Sequence, residues 1–305
     1  MRRTNISIPC RGVADVASRG QLRILAGRLL GTSAAASFIL LILLAFAWHL
    51  GTMGGSQTGP AVDSEYAKLI GQAAGSQPAS AIPSPTAVIG RGVELVRDAF
   101  DSQGPNGIGI GWHLLHSLGR VLLGYILAVL VAVPLGFAIG LSPRLYGALN
   151  PFIQVLRPIS PLAWMPLALY TLKDSAASAI FIIFISSIWP ILINTAAGAL
   201  GVRRDWLNVA KVLGLSPITK LTRIVFPAAV PMIMTGMRIS IGVAWFVIVA
   251  AEMVVGQNGI GFFIWNEWNN LQIASMIVAV ALIGIVGLSL DQALAWAAQR
   301  LSFQE

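Results

Sequence analysis

The sequence is poor in charge and nearly devoid of cysteine. Only 10% of its 305 residues are charged, where soluble domains carry roughly 25%. The single cysteine, Cys10, excludes an internal disulfide and any multi-cysteine metal site. No apolar run precedes Cys10, so it reads as an inert tail thiol and not as a lipid attachment point. Acids are scarce, 12 against 20 Lys and Arg. His113 and His116 stand three apart with no third ligand nearby, and are taken as interface residues, not a metal site. No Gly-x-x-x-x-Gly-Lys phosphate loop is present, so the chain does not bind ATP in the Walker manner. No His-Glu-x-x-His, Cys-x-x-Cys or nucleophile elbow occurs either, and the chain is expected not to be an enzyme by itself.

What is abundant is apolar surface: 56% of residues are hydrophobic and the mean hydropathy is +0.78. A soluble fold of this length has too little interior to hide that much, so lipid is the expected solvent. A span needs about 20 mostly apolar residues to cross about 30 Å of hydrocarbon. Six runs qualify: Leu29–Leu50, Leu114–Leu141, Pro151–Leu172, Ala176–Leu200, Val230–Val255 and Ile273–Ala298. The first is too long for a signal h-region and no small-residue cleavage site follows it, so it is read as a retained span.

The net charge of +8 follows membrane topology and does not mark a nucleic-acid face. Arg2, Arg3, Arg11, Arg19, Arg23 and Arg28 precede the first run, with Asp15 the lone acid, which puts the N-terminus in the cytoplasm. Six crossings return the C-terminus, with Arg300, to the same side. The loop between the fourth and fifth runs then faces the cytoplasm and carries Arg203, Arg204, Lys211, Lys220 and Arg223. The loop between the fifth and sixth has no Lys or Arg.

The expected organisation is a basic segment 1–28, a first transmembrane helix 29–50, an outer stretch 51–111, and a core 112–305 of five spans with a cytoplasmic loop at 201–229. Within the outer stretch, 71–85 is a Gly-, Ala-, Ser- and Pro-rich linker. Ser84 then suits an N-cap and Pro85 a first helical position. Val88, Ile89, Val93, Val96 and Phe100 recur at helical spacing, opposite Glu94, Arg97, Asp98 and Asp101. Two readings stand for this helix: one lying at the outer membrane interface, or a small soluble helix packed on the linker. Gly124, Ala128, Ala132, Gly136 and Gly140 recur every fourth residue, as do Gly236, Ser240 and Ala244, a spacing that lets helix backbones approach closely. Pro134, Pro158, Pro161, Pro166 and Pro190 interrupt the spans. Such breaks are tolerated where neighbours or water serve the freed backbone groups, so the Pro-rich third span points to a protein-lined path.

The cytoplasmic loop reads Leu207-Asn208-Val209-Ala210-Lys211-Val212-Leu213-Gly214, then nine residues to Ile224-Val225-Phe226-Pro227. It resembles the signature loop of bacterial binding-protein-dependent ABC permeases: Glu-Ala-Ala, three residues, Gly, nine residues, Ile-x-Leu-Pro. Ala210, Gly214, Ile224 and Pro227 match in type; Asn208, Val209 and Phe226 depart from it. Ile82-Pro83-Ser84-Pro85, Leu156 to Pro166 and Val249 to Met253 resemble the nitrate/sulfonate/taurine-type permeases, and Gly259 to Asn269 resembles the nitrate branch.

The resemblance implies an all-α polytopic membrane protein with about six transmembrane helices and the type I ABC importer permease fold. It implies a bacterial plasma membrane location, and a pore formed with a second copy of the chain. Two cytoplasmic ATPase subunits would hold ATP and Mg, so that this chain binds no cofactor, and a periplasmic binding protein would deliver a small anion. Nitrate and nitrite lead, with sulfonate, taurine, bicarbonate and cyanate as alternatives. Asn208, Val209, Ala210, Lys211, Gly214, Leu215, Ile224 and Pro227 would couple to the ATPase, and Asn208 lacks the family's carboxylate there. Arg157 either lowers the barrier to an anion or snorkels to cytoplasmic headgroups. Glu252 is read as a structural or gating hydrogen bond ahead of a substrate contact, and Arg238 as a topology anchor. Trp164, Met165 and Trp245 line or close the path, with helix packing the plainer alternative for each. Trp265 and Trp268 read as interfacial belt residues. A secondary transporter or channel would instead show inverted repeats and pairing acids inside spans; no clear repeat is found and Glu252 is read as the only acid well inside one. A membrane scaffold without transport is the third reading.

Overall fold

A computed structural model describes residues 35–37, 39–52, 82–101 and 107–301. The basic N-terminal segment, Cys10 and all of the linker before residue 82 lie outside the described residues. Every described element is helical, and the chain divides into two compact units, Met1–Ala87 and Val88–Glu305.

In the first unit, α1 (Ala35–Thr52) is long and apolar enough to cross a membrane. Its 18 residues give about 27 Å at 1.5 Å per residue. Ile39 to Leu44 are all at least half exposed, a surface suited to lipid. The helix α2 (Pro85–Arg97) begins here, with the Ser84 hydroxyl accepting the Ala87 N–H at 3.3 Å.

The second unit holds the rest of α2, then α3 (Ile110–Leu141), α4 (Pro143–Leu156), α5 (Met165–Leu172), α6 (Ser175–Leu200), α7 (Arg204–Val212), α8 (Pro217–Val255), α9 (Ile260–Asn269) and α10 (Ile273–Leu301). The small-residue stripes find a common partner: α6 runs between α3 and α8. A Cβ on Gly136 would stand 2.6 Å from Thr195 Cβ, and one on Gly140 2.6 Å from the Ala196 carbonyl oxygen. On the other flank a Cβ on Gly236 would meet the Pro190 carbonyl at 2.8 Å, and the Ser240 hydroxyl donates to the Ser187 carbonyl at 2.9 Å. Backbones this close gain dispersion along their length, which is what holds helices together when lipid removes the hydrophobic drive.

The third apolar run does not form the continuous helix expected at Pro151–Leu172. It starts at Pro143 and breaks after α4; the second limb, Pro161–Leu172, opens with a 3-10 turn and leaves at 89°. Pro158 and Pro161 remove two backbone donors, and the residue before a proline is pushed toward extended backbone. Ser160 obeys, with φ −56° and ψ 127°. The fifth span also starts earlier than Val230. With 39 residues, α8 is about 58 Å long, far more than the hydrocarbon needs, so its first turns project beyond it.

Of α2, the face that packs is Val88, Gly92, Leu95 and Ala99, while Ile89, Val93, Val96 and Phe100 are exposed. Leu95 and Ala99 meet Ile110, Ile260 and Phe263, and Arg91 Nε donates to Ser275 at 2.9 Å.

Candidate functional site

The signature segment forms its own short helix, α7. Lys211 and Asn208 are exposed on it, as are Val209 and Val212, while Ala210 is buried and anchors it. The helix ends in a Schellman arrangement: the Leu215 N–H donates to the Ala210 carbonyl and the Gly214 N–H to the Lys211 carbonyl, both at 3.1 Å. Gly214 sits at φ +60°, a left-handed conformation that a Cβ disfavours. The chain reverses there, Ser216 caps the start of α8, and the matched Ile224 and Pro227 lie in the first turns of α8. A five-residue π turn, Leu221–Val225, widens α8 at this point. Trp206, Val209, Arg223, Ile224 and Pro227 line a groove of about 640 Å³ between the two helices.

The break in the third span makes a second feature. Arg157 closes α4, is exposed, and belongs to two cavities at once. One, of about 700 Å³, runs along Ile139, Tyr146, Gln154, Leu192 and Ala196 toward Leu200. The other, about 200 Å³, is walled by Trp164, Ser186, Trp189, Pro190 and Val243. Ser186 to Pro190 lie in the middle of α6, so Arg157 is at mid-span and not near a cytoplasmic end. Trp164 faces the small cavity with it. Met165 and Trp245 instead pack: Met165 is 1% exposed among Ile182, Val247 and Ala251, and the buried Trp245 indole N–H donates to the Ile283 carbonyl at 2.9 Å.

The third feature surrounds Glu252, which is 1% exposed. Its carboxylate accepts the Ser117 hydroxyl at 2.8 Å, Arg120 Nη1 at 2.8 Å and the Gly261 N–H at 3.1 Å. Ser117 in turn accepts the Ile260 N–H at 2.9 Å, and His113 Nδ1 accepts the Gly259 N–H at 3.0 Å. Arg120 also donates to the Asn258 carbonyl at 2.7 Å. The carboxylate thus faces the N-terminus of α9, where the backbone N–H groups favour negative charge. A Cβ on Gly259 would overlap the Glu252 carboxyl group itself, so only glycine fits. This arrangement ties α3, α8 and α9 together. Arg120 and Ser117 did not emerge from the sequence; a lone arginine one helical turn or two inside an otherwise uncharged span was the available signal.

Arg238 is likewise no simple anchor. It grips Asp291 side-on, Nε to Oδ1 at 3.1 Å and Nη2 to Oδ2 at 2.8 Å. Asp291 lies within α10, so Glu252 is not the only acid inside a span. Trp265 and Trp268 are exposed and in contact, with ring centroids 5.2 Å apart.

Residues 124–303 match the family described as binding-protein-dependent transport system inner membrane component. The chain belongs to this family. Among relatives of this permease, the nitrate import permease NrtB of Synechocystis sp. is 46% identical over 78% of this chain and 86% of its own. The bicarbonate transport system permease CmpB of the same organism is 48% identical over 66% of this chain and 72% of its own. Among solved structures, the inward-facing MetNI methionine ABC transporter has a chain that superposes with a TM-score of 0.56 at 14% identity, covering 64% of the permease and 98% of that chain. The permease therefore has the type I ABC importer permease fold, and as a transport subunit it is not an enzyme.

Proposed function

We propose that this permease subunit carries a small inorganic anion, nitrate with nitrite alongside, across the bacterial plasma membrane with both termini in the cytoplasm. The observation that carries the reading is Arg157: a mid-span guanidinium, open to two cavities, with no hydrogen-bond or ion-pair partner among the described residues. An arginine at the centre of a span costs about 2.5–3.5 kcal/mol or more unless water or an anion faces it. A passing anion supplies the missing charge, and the guanidinium fork suits a planar oxyanion. Trp164 shares that cavity, and Glu252 acts by holding the outer helices.

Two copies of the chain form the pore. Two ATPase subunits, holding ATP and Mg, dock on Asn208, Val209, Lys211 and the Gly214–Leu215 turn, while Ala210, Ile224 and Pro227 brace them from behind. A periplasmic binding protein delivers the anion. The likeness to nitrate import permeases over most of both chains supports nitrate. The comparable likeness to a bicarbonate permease makes bicarbonate the second reading. Sulfonate, taurine and cyanate follow from the broader family resemblance alone.

The test is ATP-dependent uptake into proteoliposomes holding the whole complex. Nitrate accumulates, and Arg157→Gln lowers its uptake at least tenfold with the complex intact. Bicarbonate uptake without nitrate uptake would overturn the substrate; full uptake by Arg157→Gln would remove Arg157 from the path.

A further inference from the structure

The Arg238–Asp291 pair is half exposed, with 42% and 44% of the two side chains open to the surroundings. Its depth follows from packing. Gly236 and Ser240, on either side of Arg238, sit against Pro190 and Ser187 in the middle of α6. Arg238 is 14 residues from the outer Glu252 cluster, about 21 Å along α8, which leaves it inside a hydrocarbon layer about 30 Å thick. Ionisable groups at such depth face a bundle interior or water, not lipid.

The surface beside the pair agrees. Thr235, Ile239, Gly242 and Phe246 form the exposed stripe of α8 with Arg238. Space around Gly242 is open, and Thr235, Arg238, Ile239 and Asp291 line a recess of about 250 Å³. A threonine, an arginine and a glycine on one stripe do not make a lipid-facing surface. At about 100° per residue, Val243 stands about 80° from Thr235 on one side and Arg238 about 60° on the other. Val243 walls the small cavity of Arg157. One exposed face of α8 therefore lies between the two arginines.

We infer that this face of α8 is a wall of the water-filled anion path, and that Arg238 is a second binding station for a small oxyanion. Asp291 occupies the guanidinium fork when no anion is present, and the anion displaces it in passing. The masking acid keeps the station from holding its anion too tightly, since conduction needs binding weak enough to release. This inference rests on the anion reading above.

The sequence has one cysteine, so Cys10→Ser provides a permease chain without thiols, and labelling is read on that chain alone. In the intact complex, Thr235→Cys should react with a charged, membrane-impermeant thiosulfonate at least ten times faster than Leu130→Cys, on the exposed apolar flank of α3, and nitrate should slow it. Arg238→Met with Asp291→Leu should lower nitrate uptake at least tenfold. Thr235→Cys reacting no faster than Leu130→Cys, or full uptake by the double variant, would overturn the station. Should the double variant fail to assemble, the labelling alone decides. Should the unmodified complex move no nitrate, the anion reading fails, while the labelling still tells whether this face is wet.

Discussion

Removing Arg120 should expose how much the permease depends on the buried carboxylate of Glu252. Arg120 is 14% exposed and Glu252 1%, so solvent screens the pair little. Arg120→Met strips the carboxylate of its cationic partner and leaves Ser117 and the Gly261 N–H to hold it. Breaking a buried pair from one side costs about 3–5 kcal/mol, because an uncompensated charge stays behind. Glu252→Leu should cost a similar amount: Arg120 keeps only the Asn258 carbonyl, and the Gly261 N–H loses its acceptor. Independent losses would sum to about 6 kcal/mol or more. The double variant should fall short of that sum by about 2–3 kcal/mol, since neither charge is then stranded. Reversible unfolding of the purified permease in mixed micelles, followed by helical ellipticity, gives all three differences. A cost below about 1 kcal/mol for Arg120→Met, or additivity across the cycle, would show that the cluster is solvated and does not pin α9 to α3.

Two further outcomes follow from single glycines. Gly214→Pro removes the N–H that closes the Schellman turn and forbids φ +60°; ATP hydrolysis by the assembled complex should continue while anion uptake falls to background, and normal uptake would show that α7 is not the coupling element. Gly136→Ala puts a methyl within 2.6 Å of Thr195 Cβ and should destabilise by about 1–3 kcal/mol, whereas Gly119→Ala, with nothing within 4 Å, should be neutral or stabilising in the same unfolding measurement.

Much of this protein was settled by the sequence alone. Length and periodicity of the apolar runs dictate helices that cross a membrane, because lipid leaves a chain no other way to satisfy its backbone. The Gly214 spacing marked the signature segment of the family, and the stripes through Gly136 and Gly236 marked the faces of closest approach. These signals are local: each lies within one helix or one turn. What tertiary structure decided was every relation between helices. The stripes of α3 and α8 turn out to share α6, which no pattern within either could say. The third apolar run breaks at Ser160, which sets Arg157 beside the middle of α6 and open to two cavities. Glu252 found Arg120, 132 residues away, and Arg238 found Asp291, 53 residues away. A charge inside a membrane announces that a partner is needed; only the packing of helices determines which residue, or which passing ion, supplies it.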